Sequence, residues 1–529
     1  MFARPLVRTA RAVRCTKRRF ASSTASTVSS GFATRAALAA AGAVVVAGTV
    51  YTILPQAHAD ASRVTKSGER IITLEEMGKH WQAGSLWVAI DGKVYDVSEF
   101  ANTHPGGSRI LLENGGRDTT KLFHAIHPPN TIHKYAKEVP CVGVIDPEEL
   151  AVLASQRNAE DDRIDAARKR LFGVDSVVGI SDFERYAKDL LPLHAWAYYS
   201  TGADTEGALA ENAAIFKRLF FRPRIMRDVH DVDTSTEFLG VKSSIPVYVA
   251  PTARNGLGQP EGEVAVTRGA GATGIFQVLS HYASRSLDEV KAAARDGQHI
   301  GWQVYLNPDR ERSREAIEEA VAAGAHSIWI TADTVTLGKR ETERRLNAEA
   351  NPAPHGQPLS RERQRFGFSA HDARMSWDDI AFVRKYAPGL PVVIKGVGAW
   401  EDVVLAYKYG ADAVVLSNHG GRQLDFAQPP LKVLYDVNKN APQVLHRKNF
   451  NIFVDGSVRH GTDVLKALCL GATAVGLGRP FIYAATGWGS DGVEKAVEIL
   501  EEEIAIGMQL LGVTRVDQLG PQYLDTSKI

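Results

Sequence analysis

A histidine followed three residues later by an arginine, in the run Ser417-Asn418-His419-Gly420-Gly421-Arg422, is the densest chemistry in this 529-residue chain. An imidazole at that spacing can take a proton from one end of a small substrate while a guanidinium grips a carboxylate at the other through two parallel hydrogen bonds. That pairing suits a 2-hydroxy acid. The run TADTVTLGKRE adds Asp333, able to orient His419 or stabilise its protonated form, and Arg340 as a second cation. QVYL offers Gln303 to a polar heterocycle and Tyr305 to a substrate. DGSVRHG and GLGRP bring Arg459 and Arg479 together with Gly456, Gly476 and Gly478, whose bare backbones let N–H groups approach a phosphate. Lys395 is a cation inside an apolar run, where a structural ion pair competes with a charge placed to stabilise an anionic cofactor ring.

A second cluster lies far upstream. His104, His124, His127 and His133 crowd into residues 71–147, and imidazole is a common axial ligand of iron. His104 stands in His-Pro-Gly-Gly, a tight turn whose glycines let a flat ligand approach the backbone.

These residues need two kinds of scaffold. Trp87, Val88, Ile90, Val94, Tyr95 and Val97 alternate around Asp91-Gly92, which predicts a strand-turn-strand hairpin in a small α+β unit spanning 71–147. Residues 148–175 are charged and helical in tendency, and read as a surface linker. From 176 to 529 eight short apolar runs start at 245, 274, 299, 327, 391, 413, 451 and 474, spaced by helix-like stretches. Apolar strands alternating with amphipathic helices predict parallel strands buried on both faces, and eight of them predict a (β/α)8 TIM barrel, whose active site forms at the C-terminal strand ends. The polar residues named above stand at those ends.

The length suits two or three units. A formal net charge of +1 gives no basic excess for nucleic acid, and Cys15, Cys141 and Cys469 are too few and too scattered for a disulfide framework or a thiolate metal site. Residues 1–70 are set apart from the fold. Arg4, Arg8, Arg11, Arg14, Lys17, Arg18, Arg19 and Arg35 occur with no Asp or Glu before Asp60, the composition of a mitochondrial transit peptide. An uncharged run at 36–54 follows, and reads as a sorting segment cut near Pro55 to Ala61, or else as an inner-membrane anchor.

Two resemblances sharpen these readings. Residues 71–147 resemble the cytochrome b5 fold through W-V-x-I-x-G-x-V-Y-D-V, the His-Pro-Gly-Gly turn and F-x-x-x-H-x-P-N. This implies haem b with His104 and His127 as axial ligands, His124 being the runner-up. The stretch from about 180 to 525 resembles the FMN-dependent L-2-hydroxy acid dehydrogenase and oxidase family through AWAYYSTGA, APTA, QVYL, DTVTLGKRE, IKGV, SNHGGRQLD, VDGSVR and GLGRP. The resemblance implies that His419 is the base, Asp333 its partner and Arg422 the carboxylate clamp. Tyr198 and Tyr305 then contact substrate, with Arg340 assisting. FMN would be held by Pro251, Ala253, Ser280, Gln303, Thr331, Lys395, Ser417, Asp455, Gly456, Arg459, Gly478 and Arg479. Together the two resemblances imply oxidation of L-lactate, with electrons leaving through haem to cytochrome c, in a homotetramer of the mitochondrial intermembrane space. A glycolate or other 2-hydroxy acid oxidase and a non-catalytic haem redox sensor stand as alternatives. Three departures are visible: Ser457 stands where the family often has a second glycine, Tyr282 is bulky at a pocket-wall position, and APTA is closer to the glycolate oxidase form.

Overall fold

The computed structural model describes residues 64–65, 68–104, 106–155, 159–350 and 371–529. The basic stretch and the apolar run at 36–54 lie outside them. Among the described residues no helix is long and apolar enough to cross a membrane.

The first module is a six-stranded sheet. Its path is β1 (Ile71–Ile72), β6 (Cys141–Ile145), β4 (Lys93–Asp96), β3 (Ser85–Ile90) and β2 (Trp81–Gln82), with β5 (Arg117–Asp118) added to β3. β3 and β4 form the expected hairpin, Ile90 pairing with Lys93 across Asp91 and Gly92. Both turn residues have positive φ, 52° and 75°, the backbone that matches the right-handed twist of a two-residue hairpin. Short helix α1 (Leu74–Met77) precedes the hairpin, and α2 (Ser108–Asn114), α3 (Thr120–Ile126) and α4 (Thr131–Lys134) follow it. Leu86, Val88, Ile90, Val97, Phe100 and Val139 form an apolar cluster, with Leu111, Phe123, Ile132 and Tyr135 packed on it.

The segment expected as a surface linker divides between its neighbours. Helix α5 (Pro147–Ser155) sits on the first module, Leu150 joining its core and Glu149 accepting a hydrogen bond from the Leu74 N–H. Helix α6 (Ala159–Lys169) sits on the second module. Arg163 donates to the Asp189 and Leu191 carbonyls, and Glu160 accepts from the Leu193 N–H.

The second module opens with α7 (Ile180–Leu190) and α8 (Leu193–Ser200), then β7 (Phe220–Phe221) and the hairpin of β8 (Thr236–Phe238) and β9 (Val241–Ser243). Strands β10 (Val247–Val249), β11 (Phe276–Leu279), β12 (Ile300–Val304), β13 (Ile328–Thr331), β14 (Val392–Val397), β15 (Ala413–Leu416), β16 (Asn451–Asp455) and β17 (Ala474–Leu477) close into a parallel barrel, β17 pairing back onto β10. Each strand is followed by a helix, as the spacing of the apolar runs requires.

Side-chain alternation sorts each strand into an outward and an inward set. Val247 and Val249 face the helices, while Tyr248 and Ala250 face the barrel axis with Phe276, Val278, Trp329, Val393, Ala413, Val415, Phe453 and Ala474. Phe238 of the β8–β9 hairpin enters that inner cluster, its ring centre 5.5 Å from Phe453 and 5.8 Å from Phe276, and closes the barrel floor. Large rings are matched by missing side chains: a Cβ on Gly476 would lie 2.6 Å from the Tyr248 hydroxyl.

Candidate active site and haem-type pocket

The inward row that is apolar near the floor becomes polar at the top. Counting on by two from Phe276, Gly301, Trp329, Val393, Val415 and Phe453 reaches Ser280, Gln303, Thr331, Lys395, Ser417 and Asp455. One further step of two reaches Asp333 on β13's extension and His419 on β15's. His419 Nδ1 donates to Asp333 Oδ1 at 3.0 Å, and the Thr334 hydroxyl donates to the same oxygen at 2.8 Å. Gly396 makes room for this pair, since a Cβ there would lie 2.6 Å from the Asp333 side chain. His419 has φ +60°, and its N–H is held by the Ser417 hydroxyl at 3.0 Å. A left-handed non-glycine backbone at a reacting residue is strain that its surroundings must fix.

Burial holds the His419 imidazole below its usual range, and Lys395 and Arg422 push the same way, while Asp333 opposes them. The ring is therefore a neutral base at pH 7 with Nε2 free of the carboxylate. Burial alone would raise Asp333, but His419, Lys395 and Thr334 outweigh it and keep the carboxyl ionised. Lys395 shows the same contest: burial lowers it, and Asp455, 3.1 Å away, together with Asp333 raises it.

Arg422, Arg340 and Tyr198 converge above His419. The guanidinium carbons of Arg422 and Arg340 lie 5.0 and 5.8 Å from the Tyr198 ring centre. Arg422 Nη1 donates to the Tyr198 and Thr201 carbonyls at 2.6 and 3.1 Å. Burial first, then Arg340 and Arg479, push Arg422 down to about 9. Buried cations that repel one another define a site for an anion. Arg340 Nε and Asp333 Oδ2 are buried with no hydrogen-bond partner among the described residues, as befits a pocket for a polar ligand.

The residues expected to cradle a flavin phosphate are brought to one wall. Pro251, Ala253, Ser280, Lys395, Asp455, Gly456, Arg459, Gly478 and Arg479 line a cavity of about 1470 Å³ together with Tyr198, Tyr305, Arg340, His419 and Arg422. Burial and the nearby Arg459 hold the Arg479 guanidinium below its usual range, a second pair of cations that an anion would relieve. Three further expected cofactor contacts are buried beside them. Gln303 accepts from the Ser280 hydroxyl at 3.1 Å and donates to Thr331 at 2.9 Å, and Ser417 accepts from Lys395 at 3.1 Å. Gln303 thus ties Ser280 to Thr331, and Ser417 ties Lys395 to the His419 N–H. Arg479 is also more committed than expected, donating to the Tyr199, Gly420 and Thr201 carbonyls at 2.7, 3.1 and 3.1 Å. Ser457 has φ +58°, so it adopts the left-handed backbone that the family's glycine would take without strain.

In the first module His104 and His127 face each other with ring centres 6.1 Å apart. Two imidazoles bound to one metal through bonds of about 2.0–2.1 Å would have centres roughly 6.3 Å apart, so the pair fits one iron between them. Each Nδ1 donates to a nearby carbonyl, His104 to Gly107 at 3.0 Å and His127 to Phe123 at 3.2 Å, which leaves both Nε2 lone pairs for a metal. Gly106 must be glycine because a Cβ would stand 2.7 Å from the His104 ring. Burial pushes His127 down to about 3, so both ligands stay neutral. Val97, Phe100, Leu111, Phe123 and Ile132 line this pocket with apolar surface suited to a porphyrin face. His124 points elsewhere, pairing at the exposed rim with Asp91 at 2.8 Å.

The two pockets open into the same cavity. Helix α3 packs on the barrel's Asn255–Leu257 turn so closely that a Cβ on Gly256 would lie 2.5 Å from the Ala125 carbonyl oxygen. Sequence reasoning missed that turn and one wall residue, His371. The His371 ring stacks on Tyr305 at 4.1 Å, donates through Nδ1 to the Thr334 carbonyl at 2.8 Å and accepts from the Tyr282 hydroxyl at 3.0 Å. No strand-end motif marks it, because it lies within the segment between β13 and β14, far from either strand.

Comparison with known proteins agrees with both pockets. Residues 73–146 match the cytochrome b5-like heme/steroid binding domain and residues 187–526 the FMN-dependent dehydrogenase family. An L-lactate dehydrogenase (cytochrome) from Wickerhamomyces anomalus is 42% identical over 87% of this chain and 80% of its own. The glycolate oxidase of Spinacia oleracea is 35% identical and covers only 66% of this chain, with 95% of its own. A flavocytochrome b2 double mutant solved with pyruvate bound superposes with a TM-score of 0.65 at 41% identity, covering 71% of this chain and 93% of that one. The barrel that carries His419, Asp333 and Arg422 places this chain in the FMN-dependent dehydrogenase family, to which it belongs, with a cytochrome b5-like domain ahead of it.

Proposed function

We propose that this chain oxidises L-lactate to pyruvate with FMN and passes the electrons through haem b to cytochrome c. The observation that carries the reading is the shared cavity, which holds a base and carboxylate clamp at one end and a facing pair of axial-type histidines at the other. Bound FMN supplies a two-electron acceptor and haem a one-electron relay. His419 accepts a proton from the hydroxy acid at Nε2, because Nδ1 is committed to Asp333, and Asp333 stabilises the imidazolium that results. Arg422 and Arg340 hold the substrate carboxylate, with Tyr198 and Tyr305 presenting hydroxyls beside them. Pro251, Ala253, Ser280, Lys395, Asp455, Gly456, Arg459, Gly478 and Arg479 would hold FMN, and the Lys395 ammonium would stabilise negative charge on its reduced ring. His104 and His127 would both be taken up in holding haem, which would serve electron transfer and leave substrate to the barrel.

The same reading puts the mature protein in the mitochondrial intermembrane space as a homotetramer. Support for the location is the basic, acid-free stretch ahead of the apolar run at 36–54. Sequencing the mature N-terminus tests it, and a start upstream of Arg35 would rule out processing after that run.

A second reading, preference for glycolate or another small 2-hydroxy acid, is favoured by Tyr282, whose ring and His371-bonded hydroxyl narrow the pocket wall. Steady-state turnover with L-lactate, glycolate and L-mandelate decides, using cytochrome c as acceptor and measuring peroxide in parallel. Highest kcat/KM with L-lactate and little peroxide is expected. Preference for glycolate with stoichiometric peroxide would overturn the proposal.

A further inference from the structure

Arg254 stands where the two pockets meet, and no carboxylate among the described residues pairs with it. Its backbone is fixed from three sides. The N–H donates to the Tyr282 carbonyl at 3.1 Å and the carbonyl accepts from the Tyr199 hydroxyl at 2.5 Å. The next residue is pinned by buried Glu263, whose carboxylate accepts from the Asn255, Ser284 and Arg285 N–H groups at 3.0, 3.0 and 3.2 Å. With φ at +62°, Arg254 is held in a conformation that aims its side chain across the cavity. The guanidinium carbon lies 5.1 Å from the Tyr198 ring centre. Nη2 reaches the His104 turn, only 3.4 Å from where a Cβ on Gly106 would stand.

A partly buried guanidinium with no counter-charge is costly unless an anion completes the site. Two carboxylates can approach: a propionate of the haem or the carboxylate of the substrate. Arg340 and Arg422 already serve the substrate side, both stacked on Tyr198. Arg254 alone of the three reaches the glycine turn beside His104. We propose that Arg254 is a carboxylate-binding residue that grips a haem propionate from the barrel side and so couples the two cofactor pockets. The proposal rests on His104 and His127 being the axial ligands.

The test uses the full-length holoenzyme with Arg254→Gln and Arg254→Lys. Wild type must first show a bis-histidine haem spectrum; its absence would overturn the axial-ligand reading and this proposal with it. In Arg254→Gln the spectrum persists, haem passes to excess apo-globin about tenfold faster, and the haem midpoint potential falls, because losing a nearby positive charge favours the more positive oxidised iron. Flavin reduction by L-lactate stays within twofold. Arg254→Lys restores most of the potential but little of the haem retention, since an ammonium replaces the charge and not the bidentate fork. A tenfold rise in substrate KM with unchanged potential and haem loss would assign Arg254 to the substrate carboxylate and overturn the proposal. Unchanged values of all three would overturn it as well.

Discussion

In the first module the two facing imidazoles are 23 residues apart, and each is oriented by a carbonyl three or four residues away, Gly107 for His104 and Phe123 for His127. In the barrel, His419 is oriented by Asp333, 86 positions earlier, and its neighbours come from strand ends all round the ring. A site built from local contacts exists once one turn and one short helix form. A site built from strand ends exists only when the barrel has closed. The first therefore tolerates damage to the rest of the chain, while the second is exposed to every register error.

Substitutions in each pocket can break that contrast. His419→Gln is expected to slow flavin reduction by roughly 10²–10⁴-fold, the usual worth of a positioned base, with the haem spectrum unchanged. A haem spectrum altered in step would show that the pockets do not form independently. His104→Ala should abolish the bis-histidine spectrum and cytochrome c reduction while flavin reduction by substrate stays within about twofold; loss of flavin reduction in stopped-flow would argue the reverse dependence. Asp333→Asn should cost about 10²-fold and also move the acid limb of kcat/KM. His419 works deprotonated, burial holds it below 6.5, and Asp333 is the group that raises it. Removing that carboxylate thus shifts the limb to lower pH, and a shift to higher pH would contradict the assignment.

Acid stability compares the modules with a smaller effect. His281 and His371 in the barrel are held by burial at about 4, against about 6.5 when unfolded. The unfolded chain binds the extra protons, so their contribution is complete above pH 6.5 and is lost as pH falls towards 4. Calorimetry should show the barrel's melting temperature declining across that window, and a flat profile would count against the buried neutral rings. The smallest effect belongs to an ion pair between modules, Lys134 with Glu319 at 3.1 Å, both side chains being more than half exposed. Lys134→Ala should change stability by under about 1 kcal/mol, so a larger loss in denaturant titration would mean that this contact locks the modules together.

The same contrast explains what was legible in the sequence. His104 and His127 could be read because their orientation is encoded within a few residues. The barrel residues could be read because period-two alternation, extended past each apolar run, lands on Gln303, Lys395, Ser417 and Asp455. That count finds the strand and the facing direction, but not the bonding partners. Gln303, Thr331 and Ser417 share the right parity, and parity alone does not give the bond between Gln303 and Thr331 or those to Ser280 and Lys395. Tyr198 and His371 lie on segments with no alternation, before the first barrel strand and after β13; resemblance supplied the first, and nothing marked the second. The charged segment at 148–175 read as a free linker because its few apolar residues are spread between two partners, Leu150 on one side and Ala167 on the other.

Among the described residues Phe238 packs across the barrel floor, and the opposite end opens beside the haem-type pocket. In pharmacological terms the two catalytic halves share one doorway. A small carboxylate seated deep beside Arg422 would act as a simple competitor of the hydroxy acid. A larger anion reaching from Arg422 to Arg254 would compete with substrate and also slow delivery to haem, giving mixed inhibition from one binding event.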